Sequence, residues 1–233
     1  MNTIEIEDVL MNPQVKFFKA PRLGSYMAVE IDYKQTKRAY AFEMWMKSPM
    51  PMVTIIKTLD VTRLVKYAGK NKLKFNMLLC WCIGKAASQM DEFYIIPVDG
   101  KLMKYEHLAI DVVLTVKSGA ISTCSIPYSD DLTKFNESYL KLTSQVYDSC
   151  NMYALDDTYG IIGTSALIKY EVDGVVNQYS GIYNNPFLIW GKYRKHWWKF
   201  RLPLSFQFHH VQMDGGNACE FLESLQKEID NLK

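Results

Sequence analysis

The chain has 233 residues, 48% of them hydrophobic and 13% aromatic, with 27 basic against 25 acidic side chains. That length and apolar content suffice for a full-sized core, and a net charge of +2 supplies no bulk attraction for nucleic acid or a membrane surface. No apolar run reaches the roughly 18 residues of a membrane span, and the opening MNTIEIEDVL carries acids where a signal peptide needs a basic start. Cys80, Cys82, Cys124, Cys150 and Cys219 are scattered, with no C-x2-C pair, which predicts reduced thiols in a cytoplasmic protein.

Residues 1–25 show no clear period and read as an N-terminal extension, followed by a single domain over 26–233. A helix is expected over 34–46, with Arg38 in its middle and the run Ser48-Pro49-Met50-Pro51 stopping it. The β-branched stretch 52–59 predicts a strand, and Asp60 should open a helix that runs to Tyr67 and ends at Gly69. Residues 75–90 predict a helix that is apolar nearly all round as far as Gly84, and therefore buried. Strands over 93–96 and 102–105 flank Asp99-Gly100, a strong hairpin signal.

Two more strands, 109–117 and 119–126, precede a helix over 130–150 with Leu132, Phe135, Tyr139, Leu142 and Val146 at helical spacing. A strand follows over 159–170, and Asp173-Gly174 marks a second hairpin. Residues 187–190 and 202–210 supply the last strands, with a basic and aromatic stretch, 192–201, between them. That stretch is too short and isolated for a nucleic-acid patch and reads as a solvated hairpin. A helix over 217–232 closes the chain. Strands mixed with helices, several joined by hairpins, predict an α/β (α+β) layered fold with a mixed, largely antiparallel sheet.

The closing strand carries the most informative pattern. Leu202, Leu204, Phe206 and Phe208 share one period-2 phase, and Ser205, Gln207 and His209 share the other. His210 is next in the apolar phase, and Asp214-Gly215-Gly216 follows. A titratable ring leaving an apolar face just before a tight turn is a candidate site, beside the ordinary reading of a hydrogen-bonded core histidine. Adjacent strand residues point to opposite faces, so His209 and His210 do not suit one metal ion, and no metal is expected.

His209-His210-Val211-Gln212-Met213-Asp214-Gly215 closely resembles the H-H-x-x-x-D-G signature of the type A chloramphenicol acetyltransferases. Gly191-Lys192-Tyr193 and Leu225-Gln226 strengthen the match, as do Asn71-Lys72-Leu73-Lys74-Phe75 and Asp99-Gly100-Lys101-Leu102. So does the stretch from Asp32 to Phe42-Glu43, with Arg38 at the family's arginine. The resemblance runs from about residue 28 to the C-terminus. It implies a homotrimer of two-layer α/β sandwiches with active sites at subunit interfaces. There acetyl-CoA, the cosubstrate, would meet a small-molecule hydroxyl acceptor, with no metal, nucleic acid or membrane as partner.

The resemblance makes His210 the general base and pairs Asp214 with Arg38 as a structural brace. A neutral imidazole in an apolar slot would suit a base, because desolvation disfavours the imidazolium. The oxyanion donor would be Ser165, with Thr164 as the alternative, since Gly163-Thr164-Ser165-Ala166-Leu167 lacks the family's Pro-Trp. Lys74, Lys192 and Tyr193 fall where the family holds the CoA phosphates and adenine.

The acceptor side departs from the pattern. Trp45, Pro51, Val53 and Ile121 replace residues that line the acceptor pocket, and Met213-Asp214-Gly215-Gly216-Asn217 replaces the family's C-D-G-F-H. The expected activity is O-acetylation of chloramphenicol or another small alcohol. The alternatives are an acyltransferase core related to dihydrolipoamide acyltransferase and a catalytically weak trimer that binds CoA or a small ligand.

Overall fold

The computed structural model describes residues 28–179 and 181–233, so the N-terminal extension expected over 1–25 lies outside the described residues. The chain opens with β1 (Val29–Ile31), a 3-10 helix (Tyr33–Gln35), α1 (Ala39–Trp45) and β2 (Met52–Asp60). α2 (Thr62–Lys70), α3 (Phe75–Ala87) and a second 3-10 helix (Asp91–Tyr94) follow. Then come β3 (Ile95–Val98), β4 (Lys101–Lys104), β5 (His107–Thr115), β6 (Ile121–Pro127), α4 (Leu132–Ser149) and β7 (Tyr159–Leu167). β8 (Phe187–Gly191), β9 (Arg194–His196), β10 (Lys199–His209) and α5 (Gly215–Asp230) complete the fold.

The main sheet has the order β2-β10-β8-β7-β5-β6, and β9 lies against the start of β10. β7 runs parallel to both β5 and β8, and the other pairings are antiparallel, so the sheet is mixed. β1, β4 and β3 form a small antiparallel sheet. Asp99 (φ 49°) and Gly100 (φ 78°) make the expected two-residue hairpin turn between β3 and β4.

Strand alternation separates the layers. Leu202, Leu204, Phe206 and Phe208 are fully buried in one core with Ile110, Ile162 and Leu188 of the neighbouring strands. Phe206 packs on Phe221 of α5 with ring centroids 4.8 Å apart. Burying each such side chain contributes about 1.5–3 kcal/mol, so this face holds the helices to the sheet. α3 is buried nearly all round, as its sequence predicts, because it touches α5, α4 and the sheet together.

Four expectations on the elements are corrected. The helix expected over 34–46 breaks after Gln35: Asp32 Oδ1 accepts from Lys34 N, and Thr36 Oγ1 accepts from Arg38 N, so α1 starts only at Ala39. Asp60 stays in β2 while its carboxylate accepts from the backbone and hydroxyl of Thr62, and α2 runs on through Gly69. The helix expected to reach residue 90 ends at Ala87. Asp173-Gly174 forms no hairpin. Both edges of β10 are already paired, so the passing segment is tied to its face instead. There Val175 N donates to Ser205 Oγ (2.8 Å) and Gln207 Nε2 donates to Asn177 O (2.8 Å).

Gly84 allows α3 to pack on the ring of Tyr128, which a Cβ at this position would overlap. Gly84→Ala should therefore lower stability by about 1–3 kcal/mol. An unchanged urea midpoint would show that the helix has room to move.

Candidate active site

The β10 ladder ends where His209 pairs with Met52, and the chain turns at once. His210 N donates to Pro51 O (2.8 Å), and Gln212 N donates back to His209 O (2.9 Å). Arg38, just before α1, grips this turn with four hydrogen bonds. Its Nε donates to Val211 O (2.8 Å), and its Nη2 donates to His210 O (2.6 Å) and to Asp214 Oδ1 (2.9 Å). Nη1 donates to Asp214 Oδ2 (2.6 Å). The planar guanidinium suits this fork, which a lysine could not reproduce. Hydrogen bonding from Arg38 is the main reason that the Asp214 carboxyl titrates below its ordinary range.

Asp214 is also held from behind. Asn217 Oδ1 accepts from Asp214 N (3.1 Å), and Asn217 Nδ2 donates to Glu92 Oε1 (2.9 Å). Sequence reading treats Asn217 only as a departure and does not single out Glu92. The helix-capping spacing from Asp214 to Asn217 is the signal that could have flagged the first of these.

The two histidines sit in different surroundings. His209 is fully buried, its Nδ1 accepts from Val211 N (3.1 Å), and burial pushes its pKa down to about 4. His210 lies one residue beyond the strand, so the alternation no longer governs it, and its side chain is 31% exposed. The dry imidazole that strand phase assigns to His210 is therefore His209. Trp45 lies flat on the His210 ring, with centroids 4.9 Å apart and planes 3° from parallel. The buried nitrogen of His210 is Nδ1, 3.3 Å from Asp214 Oδ1, which leaves Nε2 as the nitrogen able to meet a ligand.

A second region opens at the ends of β5, β7 and β8, beside helices α3 and α4, as a cleft of about 1170 Å³ that takes in residues from both faces of the strand ends. Lys74, Lys192, Tyr193, Thr164, Ser165 and Ile121 line it. Tyr193 packs on Phe75, 4.9 Å between centroids, at the start of α3. Two lysines with apolar walls suit a ligand that joins phosphates to an apolar arm. Thr164 is buried on the helix side, and its hydroxyl donates to Asp111 O (3.0 Å), so that hydrogen is already used. Ser165 follows it on β7 and points to the opposite face, and its hydroxyl has no hydrogen-bond partner among the described residues.

The structure thus brings Arg38, Trp45, Pro51, His210 and Asp214 together, and gathers Ser165, Lys74, Lys192, Tyr193 and Ile121 elsewhere. Val53 pairs with Phe208 and is packed against the main core. Ser165 is level with Ile189 and then Ser205 across β7, β8 and β10, and His210 lies five residues further along. At the usual strand rise and spacing, the backbones of Ser165 and His210 are about 20 Å apart within one chain. Among the described residues no group of three His, Cys, Asp or Glu side chains could hold a metal ion.

Arg38→Ala should lower the melting temperature and cut activity, because it strands two carbonyls and a carboxylate together. Unchanged melting and rate would remove the brace from the account. His209 titrates lower folded than unfolded, so the unfolded chain binds more protons between its ordinary pKa and about 4. Stability should therefore fall as pH drops through that window, by up to about 3 kcal/mol from this group. His209→Asn keeps an acceptor for Val211 N and should flatten the fall; an identical pH profile would contradict the assignment.

A family model described as chloramphenicol acetyltransferase matches residues 26–226 of the chain. Chloramphenicol acetyltransferase 3 of Escherichia coli is 26% identical over 210 residues, covering 88% of this chain and 97% of that protein. Chloramphenicol acetyltransferase 2 of Escherichia coli is 25% identical over 210 residues, covering 87% and 97%. A solved chloramphenicol acetyltransferase superposes with a TM-score of 0.75 at 18% identity, covering 87% of this chain and all of the other. A structure titled a probable dihydrolipoamide acetyltransferase of Listeria monocytogenes superposes at 0.63 with 13% identity, covering 90% and 96%, which shows likeness of fold alone.

Proposed function

The chain belongs to the chloramphenicol acetyltransferase family, and from that membership and the open Nε2 of His210 we propose that it is an acetyl-CoA-dependent O-acetyltransferase. Its acceptor is chloramphenicol or another small alcohol. The observation that carries this reading is the His210 turn, which buries Nδ1 beside Asp214 and presents Nε2.

In the proposed reaction Nε2 takes the proton of the acceptor hydroxyl as its oxygen attacks the thioester carbonyl of acetyl-CoA. The carbonyl oxygen becomes an oxyanion and accepts a hydrogen bond from the Ser165 hydroxyl. Collapse of the tetrahedral intermediate breaks the carbon–sulfur bond, and the departing thiolate takes the proton back from His210. The products are the acetyl ester and CoA, with no acyl-enzyme and no metal. Arg38 and Asp214 hold the turn that aims the imidazole, and neither moves a proton.

A separation of about 20 Å prevents His210 and Ser165 of one chain from serving the same carbonyl. The proposed site therefore lies between copies, with His210 from one chain and Ser165 from its neighbour, in a homotrimer. Lys74 and Lys192 meet the CoA phosphates and Tyr193 its adenine. Trp45 and Pro51 frame the base on the acceptor side, Ile121 would reach the acceptor only across such an interface, and Val53 faces the core of its own chain behind them. All five cysteines are free, which agrees with a reducing, cytoplasmic compartment. The dihydrolipoamide acyltransferase alternative rests on fold alone.

The test follows CoA thiol release from acetyl-CoA with a panel of alcohols, chloramphenicol among them, for wild type and His210→Ala. Wild type should exceed the variant with at least one acceptor; equal rates throughout the panel would refute the enzyme reading. Ser165→Ala should lower kcat by about 10²–10³ while Thr164→Val changes it little. Equal, small losses in both would remove the oxyanion assignment.

A further inference from the structure

β9 and β10 form a hairpin whose two-residue tip, Trp197-Trp198, packs neither ring into the core. Trp197 is 75% exposed and Trp198 72%, with the rings edge to face at 5.7 Å. Trp197 also has φ 58°, a backbone conformation that turns usually give to Gly, Asn or Asp. A bulky ring held against its backbone preference and left in water indicates a binding role rather than a packing one.

The hairpin is rooted in the lip of the cleft. Lys192 and Tyr193, which line it, lead directly into β9, and Lys192 N donates to Tyr170 O (2.7 Å) on the opposite lip. Arg194 clips the hairpin base to that same segment through Asp173 (2.6 Å) and Glu171 (3.4 Å). From Arg194 the tip extends about 10 Å, three residues of strand rise.

Charge selects the ligand class. Arg194 is neutralised by Glu171 and Asp173, while Lys199 and Arg201 share Asp60 at 3.2 and 3.9 Å. Among the described residues Lys195 is the hairpin's one lysine or arginine without an acidic partner. One free ammonium and two indoles are too little positive charge for a polynucleotide or an anionic membrane, whose binding grows with the number of cations engaged. They match a single nucleotide, with a base to stack and a phosphate to pair.

We propose that the Trp197-Trp198 hairpin is an outer clamp for the adenine nucleotide of the acyl-CoA donor, extending the cleft beyond Tyr193. The proposal rests on the acetyl-CoA reading above. It makes the enzyme selective for whole CoA thioesters over donors that end at the pantetheine arm.

The experiment titrates CoA and adenosine 3′,5′-bisphosphate, which has no thioester, into wild type, a Trp197→Ala/Trp198→Ala double variant and Trp197→Gly by calorimetry, with melting curves alongside. The double variant should bind both ligands about 10-fold more weakly or worse, as expected for loss of base stacking. Trp197→Gly should melt higher, because glycine relieves the positive φ, and yet bind CoA more weakly. A purely structural tip would not move the two readouts in opposite directions. Wild-type affinity for CoA in the double variant overturns the clamp alone. Absence of CoA binding by wild type overturns the acetyl-CoA reading, and the clamp with it.

Discussion

Arg38 is the interaction on which the site depends. Its guanidinium ties the start of α1 to two carbonyls of the turn after β10 and to the carboxylate of Asp214, more than 170 residues away in sequence. The turn has left the ladder of β10, so no strand partner fixes His210 beyond the single bond to Pro51 O. The fork supplies what the ladder no longer does. The geometry matters more than the charge, because the Asp214 side chain is 53% exposed and water screens a pair in that position. The bonds to the two carbonyls are what a neutral or lysine replacement would lose.

The sheet explains why the proposed site residues fall into two groups. Strand alternation gives one face to the helices and the other to polar residues, among them Ser165, Ser205, Gln207 and His209. Ser165 lies along β7 near the cleft, and His210 lies beyond the far end of β10. A layered sheet is stiff, so no local motion brings them together within a chain. In the proposed reaction their joint use requires a second copy, with the polar row at the sheet face of one chain and the imidazole at the sheet end of another as complementary halves of one site.

Much of this was legible from residues. The phase of Leu202, Leu204, Phe206 and Phe208 gave the buried face, the apolar run from Met77 to Gly84 gave the central helix, and Asp99-Gly100 gave its hairpin. The motif placed Arg38, His210 and Asp214 in one cluster. What escaped depended on tertiary context. Asp173-Gly174 has the same local signal as Asp99-Gly100, yet β10 had no free edge to offer it. Strand phase carried His210 into the core because it could not show that β10 stops at His209. Period-2 spacing left Thr164 and Ser165 both open, and they separate only once Asp111 O is seen to take the threonine hydroxyl.

The most direct test of a site shared between copies mixes two inactive variants. His210→Ala and Ser165→Ala chains are unfolded together and refolded as a mixture, and thiol release is compared with each variant alone. If each site draws its histidine and its serine from different chains, a random equal mixture should recover about a quarter of the wild-type rate. A mixture that assembles but stays as slow as the separate variants would contradict the account.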